Sequence, residues 1–127
     1  MKVALTSIMV DDQDRAVTFY TGVLGFKLAL DIPMGQFRWI TVTAPEGTQE
    51  VQVALEPNDH RAAKPFQQAL YDDGIPVNAF ASTDIHAEYE RLTARGVVFR
   101  SPPKDEGYAT TAQFDDTCGN WIQLFQA

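Results

Sequence analysis

The feature that most limits what this chain can fold into is that it writes one supersecondary unit twice. Residues 5–26, LTSIMVDDQDRAVTFYTGVLGF, run from alternating apolar residues through an acidic step into a helical pattern that stops at Gly25. Residues 77–99, VNAFASTDIHAEYERLTARGVVF, repeat that outline with different letters. Asp12 and Asp84 stand 72 positions apart, Gly25 and Gly96 only 71, so one helix must absorb an extra residue. A period this long is not a solenoid. Two copies of such a unit point to a pair of similar modules.

The rest of the chain fits that plan. Residues 3–10 read as a strand, and Asp12 or Asp14 is placed to cap a helix over 15–24, where Ala16, Phe19, Tyr20, Val23 and Leu24 form an apolar stripe. Gly25 supplies the positive φ that ends it. Strands follow at 26–32, 37–43 and 51–55, separated by turns at 33–35 and 45–47. Residues 58–74 read as a connecting helix stopped by Gly74. The second unit then gives a strand at 77–82, a helix at 87–94 ended by Gly96, and strands at 97–100, 108–114 and 121–126. The expected organisation is one domain over 1–127: a first module at about 1–57, a connector at about 58–75 and a second module at about 76–127.

Length and composition exclude several functions. At 127 residues, 45% hydrophobic and 21% charged, the chain suits one globular domain. No apolar run is long enough to span a membrane, and the N-terminus lacks the apolar core and cleavage site of a signal peptide. A net charge of −7 with no basic cluster disfavours nucleic acid. The single Cys118 cannot form an internal disulfide, which suits a reducing compartment, and a cytoplasmic location is expected.

Three segments carry a resemblance: VDDQDRAVTFYTGVLGF, TDIHAEYERLTARGVVF and FDDTCGNWIQLF. Together they resemble the vicinal-oxygen-chelate superfamily of glyoxalase I, extradiol dioxygenases, and fosfomycin and bleomycin resistance proteins, whose last strand follows D-P-x-G-N-x-(I/L)-x-L. The resemblance implies an α+β fold: two βαβββ modules in pseudo-two-fold arrangement, forming a curled mixed sheet around a cleft. It implies no single activity. Metal-using members place four His or Glu ligands on inward strand positions, and the ion acts as a Lewis acid. Aligned by the aspartate before each helix, those positions fall on Leu5, Val53, Val77 and Gln123. Leucine and valine have no lone pair, and glutamine offers only a neutral amide oxygen. The resemblance thus implies a divergent member without the metal ligands, with no cofactor.

Strand alternation extends this to a wall. Ser7 and Met9 go with Leu5, Val51 and Leu55 with Val53, Ala79 and Ala81 with Val77, and Trp121 and Phe125 with Gln123. Phe37 and Trp39 share one face of their strand. Such an apolar and aromatic lining with a few polar groups suits a small-molecule cleft, and Trp121 or Trp39 offers a stacking surface. A filled core would have the same composition. Glu56 and Tyr108 are the candidate catalytic groups, although alternation turns Glu56 away from Val53 toward a rim. His60 and His86 show no ligand spacing. Asp11, Asp12 and Asp14 are explained by helix capping, Asp115 and Asp116 by a turn, and SPPKDEG is a candidate lid.

The function expected is a metal-independent small-molecule-binding protein that sequesters an apolar or aromatic ligand, cationic ones included, and acts as a homodimer. The alternative is a lyase, isomerase or dioxygenase of the same superfamily with an unrecognised metal or general-base site. A structural module with no ligand is the third reading.

Overall fold

Asp12 and Asp84 play the same part in their two modules. Asp12 Oδ1 accepts from Arg15 N at 2.9 Å, and Asp84 Oδ1 from Ala87 N at 3.1 Å. Each carboxylate satisfies an otherwise unpaired amide in the first helical turn. In this computed structural model, which describes residues 1–127, each cap starts a helix laid against its own four-stranded sheet. The chain divides into two compact units, Met1–Pro65 and Phe66–Ala127.

The first unit holds β1 (Leu5–Val10), α1 (Gln13–Val17), β2 (Lys27–Met34), β3 (Phe37–Thr43) and β4 (Gln52–Pro57), with sheet order β1-β4-β3-β2. β1 and β4 run parallel and the other neighbours antiparallel. α1 continues as a π-helical turn over Thr18–Val23, whose exit is marked by Leu24 N donating to Phe19 O at 3.0 Å. A π turn fits one more residue into a helix of fixed ends. This is where the extra residue between Asp12 and Gly25 goes. Gly25 then turns at φ 85°, as Gly96 does at φ 88° in the second unit.

Ile8 and Val10 of β1, Ile40 and Val42 of β3, and Val53 and Leu55 of β4 are buried with Ala16, Phe19 and Tyr20 of the helix. Tyr20 is fully enclosed and meets Phe19 and Phe26 edge-on, at centroid distances of 5.5 and 6.0 Å. Each such aromatic contributes on the order of 1.5–3 kcal/mol by burial.

The second unit contains most of α2 (Ala63–Asp72), then β5 (Asn78–Ala81), α3 (Ile85–Ala94), β6 (Lys104–Asp105), β7 (Thr110–Asp115) and β8 (Trp121–Gln126), with sheet order β5-β8-β7-β6. β5 and β8 are the parallel pair. Ile85 and Leu92 of α3 are buried with Ala112, Phe114, Ile122 and Leu124. Phe99 packs on Tyr89 at 4.8 Å and on Phe114 at 5.6 Å.

Several expected boundaries move. α2 begins at Ala63 rather than Asn58, because Asn58 N still donates to Val10 O and prolongs the β1–β4 pairing. The strand expected at 97–100 is a single bridge, Phe99 to Phe114, before Pro102 and Pro103 remove the next donors. The SPPKDEG segment is not a free loop: its Lys104–Asp105 pair with Thr110 and Thr111 as β6. β2 runs through Pro33 because it is an edge strand, where a missing N–H costs no ladder bond.

Candidate functional site: the sheet faces opposite α1 and α3

Residues paired across strands share a face. Leu5, Ser7 and Met9 pair with Gln52, Ala54 and Glu56, and Ala54 pairs in turn with Thr41, which pairs with Leu30. Trp39 and Phe37 follow Thr41 by alternation, opposite Ile32 and Met34. These side chains make the face of the first sheet opposite α1. It is greasy yet accessible: Leu5 is 44% exposed, Ile32 46% and Met34 62%. Trp39 is half-buried with no aromatic partner. Thr41, by contrast, is 1% exposed, and its hydroxyl is buried without a hydrogen-bond partner.

This register corrects two expectations. Val53 and Leu55 pair with Thr6 and Ile8, so they lie on the helix side and do not join Leu5. Glu56, expected to turn away, stands beside Met9 on the same face as Leu5 and Ser7. The cause is that Val53, Ala54 and Leu55 are all buried and apolar. A strand buried on both faces carries no alternation from which to read its orientation.

In the second unit alternation gives the observed grouping. Val77 N donates to Trp121 O at 3.0 Å, Ala79 pairs with Gln123 and Ala81 with Phe125. Gln113, Thr111 and Asp115 of β7 pair with Gln123, Phe125 and Trp121 and share that face. Trp121, however, is already engaged. Tyr71 of α2 stacks on it at 5.0 Å and 12°, the indole Nε1 donates to Tyr71 O at 3.1 Å, and the Arg100 guanidinium lies 5.2 Å from its ring. The Tyr71 hydroxyl donates to Asp115 Oδ2 at 2.6 Å. That bond, helped by burial and the carboxylate charge, pushes the phenol up to about 12.

Two polar devices hold these faces in place. Gln13 inserts its amide where β3 and β4 part. Its Nε2 donates to Arg38 O at 2.7 Å and Leu55 O at 2.9 Å, and its Oε1 accepts from Arg38 N at 3.1 Å. A side chain thus replaces a stretch of ladder. The Arg38 guanidinium pairs with Asp31 at 3.0 Å and also with Asp14, and these hydrogen bonds raise its pKa further above the ordinary value. In the turn before β8, Asp116 accepts from Cys118 N at 2.8 Å and from Asn120 N and Nδ2 at 3.1 and 2.8 Å. Gln67 Nε2 donates to Cys118 O and Asn120 Oδ1, each at 3.0 Å. Asp116 and Asn120 are 0% and 1% exposed, so every one of these bonds is made away from water.

Two hollows lie where the modules' helices start, and Phe37 of the first sheet lines one of them. One of about 320 Å³ is lined by Asp12, Gln13, Arg38 and Lys64 among others. The other, of about 290 Å³, includes Ile85, His86, Tyr108 and Gln126.

The profile of the Glyoxalase/Bleomycin resistance protein/Dioxygenase superfamily matches residues 2–124. The chain belongs to this superfamily. Among similar proteins, the uncharacterized YurT of Bacillus subtilis (strain 168) is 48% identical over 126 residues, covering 99% of each chain. The crystal structure of UcmS2 superposes with a TM-score of 0.84 at 32% identity, covering 98% of this chain and 97% of that one. TnmS3, an antibiotic binding protein from Streptomyces sp. CB03234, gives 0.80 at 31% identity, covering 99% and 95%.

Within this superfamily member, Tyr108 is exposed beside the second hollow, away from Gln123 and Trp121. His60 turns its Nδ1 to accept from Ala62 N at 3.1 Å. Nowhere do three or more His, Cys, Asp or Glu side chains gather as a metal-holding group. Sequence reasoning missed Gln13, Thr41, Tyr71 and Arg100. Only Tyr71 had a signal: Trp121 needed a partner for its indole N–H, and an aromatic sat near the end of the connecting helix.

Proposed function

We propose that this protein binds an apolar or aromatic small molecule on the sheet faces opposite α1 and α3 and does so without a metal. One observation carries the reading: the first sheet leaves Leu5, Met9, Leu30, Ile32 and Met34 exposed around a half-buried Trp39, on the side opposite α1. An apolar wall with few polar groups is what ligand sites present. The likeness to TnmS3, an antibiotic binding protein, supports the same reading. The ring offered for stacking is Trp39 rather than Trp121, whose face Tyr71 already covers. As for a metal, the only ionisable donor paired across the Leu5, Ser7 and Met9 positions is Glu56, and one carboxylate does not make a four-ligand site.

Fluorescence titration with neutral and charged polycyclic aromatics tests this, using wild type, Trp39→Phe and Trp121→Phe. The signal and affinity should suffer most in Trp39→Phe. Metal analysis of purified protein giving near-stoichiometric zinc, nickel, manganese or iron would refute the metal-free part. The placement of Glu56 favours a second reading, an isomerase or lyase in which its carboxylate takes a proton from the bound substrate. Turnover abolished by Glu56→Gln, with binding retained, would establish it. A homodimer goes with either reading, supported by β2, an eight-residue edge strand exposed throughout. Light scattering at micromolar concentration checks it. A cytoplasmic location also goes with this proposal, and no helix is long and apolar enough to cross a membrane.

A further inference from the structure

We infer that Arg100 receives the anionic group, a carboxylate or phosphate-type oxyanion, of a ligand held on the face of the second sheet that carries Gln123, beside the end of α2. This rests on the binding reading above and adds the ligand's charge. Arg100 N donates to Gln113 O at 2.9 Å, next to the Phe99–Phe114 bridge. Phe99 packs on the helix side against Tyr89, so the neighbouring Arg100 side chain goes to the other face.

Its position there is fixed three ways. The guanidinium carbon lies 5.2 Å from the centre of the Trp121 ring, Nη1 is 3.4 Å from Gln113 Oε1, and the group fills the space left by Gly74, where any β-carbon would collide with Nη1. Yet it is not part of an ion pair. The carboxylate on its own face, Asp115, is engaged instead by the Tyr71 hydroxyl and by Thr117 N at 2.7 Å. The residue is exposed.

An arginine whose side chain is already ordered, but whose charge is unanswered, is prepared to grip a planar oxyanion through its forked donors. Much of the ordering entropy is spent before the ligand arrives. Lys104, paired with Thr111, adds a second cation on this face. Two cations against the one carboxylate of Asp115 favour an anionic ligand over a cationic one on this face.

The test compares three probes that share one ring system: 2-naphthoate, 2-naphthylmethanol and 2-naphthylmethylammonium, titrated by calorimetry at low salt. Wild type should bind naphthoate about tenfold more tightly than the alcohol. Arg100→Gln should erase that preference while changing alcohol binding less than about twofold, and Arg100→Lys should keep part of it. The inference is overturned if wild type binds the alcohol as well as naphthoate, or if Arg100→Gln keeps the preference. Either result leaves the binding reading intact. Failure of all three probes to bind would sink both. Circular dichroism melts of both variants at the wild-type temperature show that the fold is not what changed.

Discussion

Replacing Tyr71 by phenylalanine isolates one hydrogen bond, because the ring that stacks on Trp121 is kept. The lost contact is short, 2.6 Å, and its acceptor is the Asp115 carboxylate. Bonds to charged groups are worth about 1.5–3 kcal/mol, and for a half-buried pair about 1–2 kcal/mol is expected at pH 8. The same bond has a pH signature. Tyr71 is lifted from 10.0 to about 12, chiefly by that bond. The neutral phenol is thus the form the fold favours. Its contribution is complete below pH 10, where both states are protonated. Between pH 10 and 12 the unfolded chain releases the proton and the folded one keeps it, so stability falls as pH rises. The linkage limit is about 1.4 kcal/mol per unit, and screening reduces it to about 1 kcal/mol at pH 11. Urea denaturation of wild type and Tyr71→Phe at pH 8 and pH 11 reads the difference directly, with the remaining tyrosines cancelling. The gap between the two proteins should narrow by about 1 kcal/mol at the higher pH. A gap that stays constant or widens refutes the reasoning.

Asn120→Ala removes a buried side chain that serves Asp116 and Gln67 together, and should cost about 2–4 kcal/mol in urea denaturation. Gln13→Ala should cost about 2 kcal/mol and speed amide exchange at Arg38, whose N–H then lacks an acceptor. Gly25→Ala and Gly74→Ala make a matched pair. Both place alanine at positive φ, at a cost of about 1 kcal/mol, but only Gly74→Ala also displaces Arg100 from Trp121. Thermal melts should therefore show the larger loss at Gly74, and intrinsic tryptophan fluorescence should shift there alone.

The duplicated frame could be read in the sequence because local chemistry writes it. Aspartate before a helix and glycine after it are demanded by unpaired amides and by a backbone turn, whatever packs nearby. The one-residue mismatch between the copies was visible too, although not its form as a π turn ending at Leu24. The faces were legible only where one side of a strand is wet. β8 alternates, with Ile122 and Leu124 buried and Trp121 and Gln123 half-buried, and its grouping follows. β4 does not alternate at Val53–Leu55, and only its parallel register with β1 decides that Glu56 joins Leu5. Tyr71 and Arg100 reach Trp121 from distant positions in the chain, and no local pattern announces such a meeting.

Each sheet packs one side beneath its helix, and the other keeps solvent-facing positions as well as buried ones such as Thr41. Stability rests on the layer beneath the helix, through side chains such as Ile8, Leu55, Phe114 and Ile122. Leu5, Met34 and Arg100 contribute little to it, being in contact with solvent. Mutation can therefore rewrite what the molecule recognises without putting its architecture at risk. A scaffold divided in this way lets descendants trade one chemical target for another while inheriting the same foundation.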